Sequence, residues 1–426
     1  MSVEHVDTIV VGAGQAGLAM SEHLSNRGVS HLVLERRQIG ERWRTERWDS
    51  LVTNGPVWHD RFPTMPFPGL DADAFAPRET VVDYLVSYAD KIRAPVRCGV
   101  DVLRVERAPG GAEFQVTTSD GVFVASNVIA ATGPFQKPNI PSLIPEDVGL
   151  QQLHSSQYKR PEALPPGAVL IIGAGSSGVQ IADELTRVGR TVYLSVGPHH
   201  RPPRSYRGRD YVWWLGVLGK WDAVAVEPGM EHVTIAVSGA NGGRTIDFRR
   251  LAAEGVTLVG MTRDVTGGVV HFAPDLADNI ARGDANYLSV LDEADAYVAR
   301  FNLDLPEDPS ARRFDPDPPC LTHPLKELSL GDAGVTSVIW ATGYALDFSW
   351  IKFDVFDANG RPRHQRGIST EPGLYFLGLP WLATRGSSFL YGVWHDALYL
   401  ADHVCKQQGY RAYDADARQR STATRI

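Results

Sequence analysis

Short runs of β-branched and aliphatic residues alternate with helix-like segments along this chain. An apolar run at 8–11 precedes a segment with apolar positions at helical spacing, and a second apolar run follows at 31–34. The same order recurs in the run 169–172, the helix-like segment 177–188 and the run 191–196. Alternating strand and helix patterns are typical of a parallel sheet covered by helices. The pattern therefore predicts an α/β fold with two Rossmann-like, three-layer (ββα) units.

Weaker patterns fill the rest of the chain. A helix is predicted over 80–92 because its apolar positions form one stripe: Val81, Tyr84, Leu85 and Tyr88. Further strands are predicted at 100–106, 113–118, 122–124, 127–131, 337–341 and 374–377. The remaining segments are predicted to be an irregular packed loop over 38–75, short alternating helices and strands over 240–300, and a C-terminal helix around 392–405.

Two of the apolar strands end in the same three residues, Ala-Thr-Gly, at 131–133 and at 341–343. We interpret each as the strand that returns to the sheet at the end of a unit. Proline-rich stretches at 134–145 and 161–166 precede the second unit and are interpreted as hinges. We therefore predict a first domain over 1–155, an inserted domain over 156–330, and a segment over 331–426 that completes the first domain.

Composition narrows the possible partners and the compartment. The net charge of −8 comes without a long run of one sign, which argues against nucleic acid or an anionic membrane surface as the main partner. The three cysteines, Cys98, Cys320 and Cys405, form no CxxC pair and no metal-ligand spacing. No apolar run is long enough to span a membrane, and the N-terminus lacks a secretory apolar region. We expect a cytoplasmic protein without a bound metal.

Glycine-rich turns stand at the start of both predicted units. The first reads Gly12-Ala13-Gly14-Gln15-Ala16-Gly17 and the second Gly173-Ala174-Gly175-Ser176-Ser177-Gly178. In such a turn the first glycine permits the tight bend, the second admits the diphosphate, and the third lets the helix pack closely on the strand. Because each turn lies between a strand and a helix, the sequence predicts two dinucleotides, FAD and a nicotinamide cofactor.

The residues at the ends of the second strands distinguish the two sites. Glu35 ends the strand of the first unit, where a carboxylate binds ribose hydroxyls. Ser195 ends the matching strand of the second unit, and Arg201 and Arg204 follow it. A hydroxyl with nearby arginines accepts a 2′-phosphate, so NADPH is expected and NADH is the alternative. The arginines have a simpler interpretation as a solvated face or a domain interface.

Several short motifs, in order along the chain, resemble those of the flavin-containing monooxygenase family, also called class B flavoprotein monooxygenases. They are Gly40-Glu41-Arg42-Trp43, Asn54-Gly55-Pro56, Ala131-Thr132-Gly133, His154-Ser155-Ser156-Gln157-Tyr158-Lys159 and Ala341-Thr342-Gly343-Tyr344. The fourth resembles the second half of the signature FxGxxxHxxx(Y/F)(K/R), but Val148 and Leu150 stand at its Phe and Gly positions. Tyr158 and Lys159 differ from the Baeyer–Villiger pattern and favour oxygenation of a heteroatom.

The resemblance implies an NADP domain inserted into an FAD domain and a specific activity. NADPH would reduce FAD, reduced flavin and O₂ would form a 4a-(hydro)peroxide, and a nitrogen or sulfur atom of a small molecule would take the distal oxygen. Asn54 is the expected catalytic residue. The expected cofactor contacts are Gly12, Gly14, Gln15, Ala16, Gly17, Glu35, Arg36, Gly40, Trp43, Thr53, Asn54, Val102, Thr132, Gly133, Gly173, Gly175, Ser176, Ser177, Gly178, Ser195, Arg201, Arg204, Thr342, Gly343 and Arg385.

Other functions share this plan. A Baeyer–Villiger monooxygenase acting on a ketone is the nearest, and a non-catalytic flavoprotein or an NADPH oxidase is also compatible with the imperfect signature. A flavin disulfide reductase needs a cysteine pair, which the scattered cysteines do not supply. The expected partners are a small-molecule substrate and O₂, and a homodimer is possible because homodimers are common in the family. The aromatic residues at 211–214, 389, 391 and 394 are interpreted either as walls of the substrate pocket or as core.

Overall fold

The computed structural model describes residues 3–111, 113–145, 149–225 and 234–423. Val148, one of the two departures from the family signature, lies outside these residues. The chain forms two α/β units, each built on its own sheet. This arrangement confirms the predicted fold class. No helix in the described ranges is long and apolar enough to cross a membrane.

The first unit has a mixed sheet with β1 near its centre. Strand β1 pairs in parallel with β2 on one side and with β6 on the other. The order across the sheet is β19-β20-β21-β6-β1-β2-β3. Strands β4 and β5 extend the sheet from β6 as an antiparallel meander. The strands of this sheet are β1 (Val3–Val11), β2 (His31–Glu35), β3 (Val96–Cys98), β4 (Val102–Arg107), β5 (Phe114–Thr118), β6 (Gly121–Ala130), β19 (His364–Gln365), β20 (Ile368–Ser369) and β21 (Leu374–Phe376).

Helices cover this sheet with the apolar stripes that the sequence predicts. They are α1 (Gln15–Asn26), α3 (Arg78–Lys91) and the C-terminal α9 (Leu390–Ala423). The short helix α2 (Glu41–Thr45) packs on α3, has no buried residue and was not predicted. The predicted stripe on α3 is buried at all four positions. Helix α9 is longer than predicted, and its N-terminal half carries buried Val393, Ala397 and Leu400 against the sheet core. Residues 38–75 are mostly irregular, but they bury Phe62 and Phe67 beneath α3.

The second unit has a fully parallel sheet in the order β13-β10-β9-β17-β8. Its central strand β9 is buried at every residue, as expected for a strand covered on both faces. The strands of the sheet are β8 (Gln151–His154), β9 (Ala168–Ile172), β10 (Val192–Ser195), β13 (Val256–Val259) and β17 (Val335–Trp340). Short strands outside it are β11 (Ser205–Tyr206), β12 (Arg209–Asp210), β14 (Thr262–Thr266), β15 (Val269–Phe272) and β16 (Glu327–Ser329). The helices are α4 (Ser176–Arg187), α5 (Tyr211–Val217), α6 (Phe248–Ala253), α7 (Leu276–Phe301) and α8 (Pro319–Thr322).

Helix α7 differs most from the sequence-based expectation of short alternating elements. It is one helix of 26 residues, although it contains Gly283 and several aspartates and asparagines, which are weak helix formers. Asp284 is buried within it and pairs with Arg201 and Arg249 from the body of the unit. These ion pairs and a buried apolar face compensate for the poor local propensity.

The two units are joined where the chain crosses twice between them. Strand β7 (Lys137–Pro138) pairs with β18 (Tyr344–Ala345) as a two-stranded antiparallel ribbon at this crossing. By sheet membership the second unit runs from β8 to β17, so it extends slightly beyond the expected bounds of 156 and 330. Both Ala-Thr-Gly strands do return to their sheets, since β6 pairs with β1 and β17 with β9.

A group of buried polar side chains fastens α1 to α9. Glu22 accepts hydrogen bonds from the Tyr88 hydroxyl and from Trp394 Nε1, the latter at 2.6 Å. His23 Nε2 lies 3.0 Å from the Trp394 carbonyl oxygen, and its ring meets the Trp394 ring edge-on at 4.3 Å. Burial lowers the pKa of His23 to about 4, against the opposing influence of Glu22. The imidazole is therefore neutral in the folded protein at neutral pH.

The buried neutral imidazole makes stability depend on pH in a defined window. In the unfolded chain His23 binds a proton near its usual pKa of about 6.5, so the folded state loses stability as the pH falls from there towards 4. We expect the free energy of unfolding of His23→Gln, measured by urea titration, to vary less with pH across this window than that of the wild type, by an amount on the order of 2 kcal/mol. His5→Gln, at an exposed position, is the control and keeps the wild-type slope. If stability depended on pH in His23→Gln as steeply as in the wild type, His23 would not be the group responsible for this pH dependence.

Candidate dinucleotide-binding and active site

The first glycine turn is shaped by the close contact of α1 with β1 and β6. Gly12 has φ of +106°, and a Cβ there would lie 2.9 Å from the Ala131 carbonyl oxygen. A Cβ on Gly17 would lie 1.8 Å from the Gly12 carbonyl oxygen. A Cβ on Gly14 would contact no protein atom. Two of the glycines are thus required by the fold, whereas Gly14 borders open space at the N-terminus of α1, where a diphosphate would lie.

A cleft opens at this turn and runs along the carboxyl edge of the first sheet. Most of the residues predicted to contact FAD line it: Gly12, Gly14, Gln15, Ala16, Glu35, Arg36, Gly40, Trp43, Val102, Thr132 and Gly133. Gly17 lies beneath it. The sequence analysis did not identify Arg42, Arg47, Val100, Asp101, Gln136, Asp347, Trp350, Gly378 and Ser388 as lining residues. Several of these come from segments far apart in the chain, and only the folded sheet brings them together.

Glu35 marks the ribose end of the cleft. Its two carboxylate oxygens accept hydrogen bonds from the backbone N–H groups of Ala13 at 2.8 Å and Arg37 at 3.0 Å. Each oxygen keeps a further lone pair, so the carboxylate is held in place and can still accept from a ribose hydroxyl. The opposite end of the cleft, beyond the N-terminus of α1, is bounded by Ser388, whose carbonyl oxygen accepts from Gln15 Nε2 at 2.6 Å. The residues present therefore fit FAD, which the Glu35 carboxylate and the open N-terminus of α1 would hold by its ribose and its diphosphate.

The second glycine turn repeats the first. Gly173 has φ of +107°, and a Cβ there would lie 2.4 Å from the Ala341 carbonyl oxygen. A Cβ on Gly178 would lie 1.9 Å from the Gly173 carbonyl oxygen. Gly175 is less open than Gly14, because its Cβ would lie 3.2 Å from a Thr234 methyl group. Ser176 and Ser177 begin α4, and Ser176 Oγ donates to the Ile235 carbonyl oxygen at 2.8 Å.

Asn54 lies between the two units. Its Oδ1 accepts from Gln180 Nε2 of α4 at 2.9 Å, and its backbone oxygen accepts from Arg204 Nη1 at 2.5 Å. Gln180 Nε2 also donates to the Val237 carbonyl oxygen at 2.7 Å, which fixes the orientation of the Gln180 amide. Since Oδ1 is the end that faces Gln180, the Asn54 Nδ2 group is left to donate elsewhere. Thr53 supports this loop rather than the cleft, donating to Gly55 O at 2.8 Å.

The far end of the FAD cleft is also built from both units. The backbone N–H groups of Arg385 and Gly386 donate to the carbonyl oxygens of Ala223 and Trp221, at 2.8 and 3.1 Å. The Arg385 guanidinium lies 3.3 Å from the Tyr211 hydroxyl, so the structure directs this side chain to the second unit. The segment forms a 3-10 turn over Arg385–Ser388, with a capping box between Thr384 and Ser387.

An aromatic cluster adjoins this junction. The His59 ring stacks on Trp221 at 4.8 Å and lies 5.2 Å from Tyr391, and Trp221 meets Phe389 edge-on at 5.1 Å. His59 Nδ1 lies 2.9 Å from Asp60 Oδ1, while its buried Nε2 has no hydrogen-bond partner among the described residues. The cluster provides flat aromatic walls and one buried nitrogen, His59 Nε2, without a hydrogen-bond partner among the described residues.

Three residues predicted to hold the 2′-phosphate are engaged in other contacts. Ser195 Oγ donates to Gly260 O at 2.9 Å. Arg201 pairs with Asp284 at 2.6 Å, and Arg204 pairs with Asp210 at 2.5 Å. All three side chains are buried. The structure thus places both arginines in internal ion pairs. Arg204 also contacts the first unit, in keeping with the simpler interpretation as a domain interface, whereas Arg201 is buried inside the second unit and is neither on a solvated face nor at that interface.

The remaining signature residues lie at the crossing between the units. His154 Nε2 is 2.9 Å from the Gly343 carbonyl oxygen, and the Tyr158 hydroxyl donates to Glu184 at 2.7 Å. The Thr342 hydroxyl donates to the Asn139 carbonyl oxygen. Burial lowers the pKa of His154, so its imidazole is neutral. Thr342 and Gly343 are therefore positioned to join the units, away from the wall of the FAD cleft.

Comparison with known proteins agrees with this geometry. A family model described as pyridine nucleotide-disulphide oxidoreductase matches residues 9–215. The uncharacterised CzcO-like oxidoreductase of Geobacillus kaustophilus is 34% identical over 405 residues, which cover 94% of this chain and 98% of that protein. CzcO of Bacillus subtilis is 30% identical over 402 residues, covering 93% and 99%. A probable indole-3-pyruvate monooxygenase of Arabidopsis thaliana, YUCCA4, is 25% identical over 412 residues, covering 94% and 90%.

Solved structures share the fold over almost the whole chain. The flavin-containing monooxygenase of Stenotrophomonas maltophilia superimposes with a TM-score of 0.65 at 22% identity and covers 95% of this chain and 99% of its own. Together with the two glycine turns, these relatives confirm the predicted resemblance. The chain belongs to the family of the CzcO-like oxidoreductases and shares the fold of the flavin-containing monooxygenases.

Proposed function

We propose that this protein is an FAD- and NAD(P)H-dependent monooxygenase that oxygenates a nitrogen or sulfur atom of a small molecule. The observation that carries the proposal is the position of Asn54. Its amide belongs to a loop of the first unit but is oriented by Gln180, which lies on the helix that opens the second nucleotide site. A group in this position can contact a flavin and a nicotinamide at the same time.

The residues of the chain bind, orient and shelter the reactants. Bound flavin supplies the redox chemistry, taking a hydride from the nicotinamide and passing electrons to O₂. The amide of Asn54, fixed at Oδ1, offers Nδ2 as a hydrogen-bond donor at the junction of the units. The contacts of 385–386 with 221–223 close that junction and limit the entry of water.

The walls of the junction favour a flat apolar substrate. Trp221, Phe389 and Tyr391 supply aromatic surface, and Phe389 and Tyr391 are partly open to solvent, at 39% and 41% exposure. This composition suits an aromatic or thioether substrate. Because a relative is named for indole-3-pyruvate, that keto acid belongs in the substrate panel.

The proposal is tested by product analysis with isotope-labelled O₂. Purified protein is expected to be yellow, to oxidise NADH or NADPH, and to place one labelled oxygen atom in an amine or sulfide product. An ester from a ketone substrate would instead establish Baeyer–Villiger activity. Hydrogen peroxide as the sole product with every substrate would establish an oxidase, and a protein that stays colourless after reconstitution with FAD would refute the proposal.

Glycine substitutions separate folding from FAD binding. Gly14→Ala adds a methyl group that contacts no protein atom, so the variant should fold normally but hold FAD at least about tenfold more weakly, because the methyl group points at the diphosphate. Gly17→Ala forces the methyl group against the Gly12 carbonyl and should also lower the melting temperature. Gly409→Ala, at an exposed position inside α9, should leave FAD affinity unchanged and should not lower the melting temperature, since alanine is the better helix former. FAD content and thermal unfolding are the measurements, and wild-type affinity in Gly14→Ala would argue against this cleft.

Removal of the Asn54 amide should uncouple cofactor oxidation from substrate oxygenation. We expect Asn54→Ala to retain FAD, and its ratio of oxygenated product to consumed NAD(P)H should fall about ten- to a hundredfold, as for one lost hydrogen bond in the transition state. Peroxide should rise in proportion. The matched control is Asn359→Ala, since Asn359 lies in an exposed turn. Equal product ratios in Asn54→Ala and the wild type would eliminate Asn54 as a catalytic residue.

A further inference from the structure

The adenosine end of the second nucleotide site lies where β10 ends. In a Rossmann unit the residue at the end of the second strand faces the ribose 2′ position. Strand β10 is that strand, since it pairs with the first strand β9 and ends at Ser195. The groups around Ser195 therefore decide whether a 2′-phosphate is accepted. We propose that this site does not select the 2′-phosphate, so that the enzyme binds NADH no more weakly than NADPH, an inference that rests on the proposed function.

The Ser195 hydroxyl has no hydrogen-bonding capacity left for a phosphate. Its hydrogen is donated to Gly260 O at 2.9 Å. Its oxygen accepts from both Thr262 N and Thr262 Oγ1, each at 3.0 Å. A hydroxyl has one hydrogen and two lone pairs, so these three bonds saturate it. Ser195 is also only 3% exposed.

Arg201 is held inside the second unit. Its Nε and Nη2 atoms both donate to Asp284 Oδ1, at 2.8 and 2.6 Å, and the guanidinium is 4.7 Å from the Tyr287 ring centre. The residue is 1% exposed. Turning it towards a phosphate would strip the buried Asp284 carboxylate of one of its two guanidinium partners. The second, Arg249, lies 2.8 Å from Asp284 Oδ2.

Arg204 faces the other unit. Its Nη2 lies 2.5 Å from Asp210 Oδ1, its Nη1 donates to Asn54 O at 2.5 Å, and its guanidinium is 5.2 Å from the Phe75 ring centre. This side chain supports the loop of Asn54 at the junction and is 5% exposed. It supplies no free positive charge at the end of β10.

An apolar and an acidic side chain occupy the space beside Ser195 instead. The Met261 side chain lies 3.3 Å from the position of a Cβ on Gly197, two residues after Ser195. Asp275 Oδ1 accepts from Met261 N at 3.0 Å and lies 2.7 Å from the position of a Cβ on Gly260. A carboxylate at this end repels a phosphate but accepts from a ribose hydroxyl.

An exposed cation, Arg263, follows Thr262, whose N–H and hydroxyl groups donate to Ser195 Oγ. Arg263 lies on β14, where the strand has an irregular register. It is the residue most able to contradict the proposal, so its removal belongs in the test.

The test measures binding of adenosine 2′,5′-bisphosphate and of AMP to the FAD-loaded full-length protein by calorimetry. The bisphosphate carries the 2′-phosphate, and AMP does not. We expect the two dissociation constants to agree within about threefold and Arg263→Ala to leave their ratio unchanged. A preference for the bisphosphate of tenfold or more would overturn the proposal, and its loss in Arg263→Ala would identify the responsible residue.

Two substitutions should create the missing selectivity. Asp275→Asn removes the negative charge and should raise affinity for the bisphosphate relative to AMP. Gly197→Arg places a guanidinium beside the flexible Met261 side chain and should favour the bisphosphate by tenfold or more, whereas Gly197→Gln, which is polar but uncharged, should not. No change in Gly197→Arg would show that the 2′ position lies elsewhere.

Anaerobic reduction of the flavin separates this inference from the proposed function. Reduction by NADH at a rate equal to or above that with NADPH supports the inference. Reduction by NADPH alone would refute it and leave the monooxygenase proposal intact. Reduction by neither, with neither nucleotide bound, would refute both.

Discussion

The close seating of a helix on its sheet, once in each unit, is the constraint on which this structure depends. At Gly17 and Gly178 the helix backbone approaches the preceding turn so closely that a single methyl group has no room. This contact aims the helix N-terminus, with its unpaired N–H groups, at the carboxyl edge of the sheet. The positions of the FAD cleft, of Gln180 and hence of Asn54 follow from it.

The proposed active site is a property of the two units together. The amide of Asn54 is oriented by a helix of the other unit, and the turn at 385–388 is hydrogen bonded to the loop at 221–223. Neither unit alone contains a complete junction. The ion pairs of Arg201 and Arg204 contribute to the same architecture, one by stabilising α7 and the other by supporting the Asn54 loop. Their charges are used to build the site and are not available to a ligand.

The sequence was sufficient to predict the features that depend on residues close together in the chain. Strand, glycine turn and helix are consecutive in the chain, so the two strand–turn–helix units, the α3 stripe and the returning strands could all be predicted. Contacts between residues far apart in the chain could not be predicted from the sequence. Arg201 and Asp284 are 83 residues apart, and only the folded unit shows that they neutralise each other. Helix α7 was missed for the same reason, since its weak local propensity is compensated by that ion pair. Ser388 and Gly378 reach the cleft from the C-terminal third without any motif to mark them.

The ribbon of β7 and β18 has a consequence for the origin of this architecture. The chain leaves the first unit and re-enters it at paired residues, Lys137 opposite Ala345 and Pro138 opposite Tyr344. A domain whose two ends meet at one point can be spliced into a surface loop of a host without disturbing the host sheet. The repeated Ala-Thr-Gly strand ends and the matching glycine turns are what the duplication of one ancestral nucleotide-binding module, followed by insertion of the copy, would leave behind.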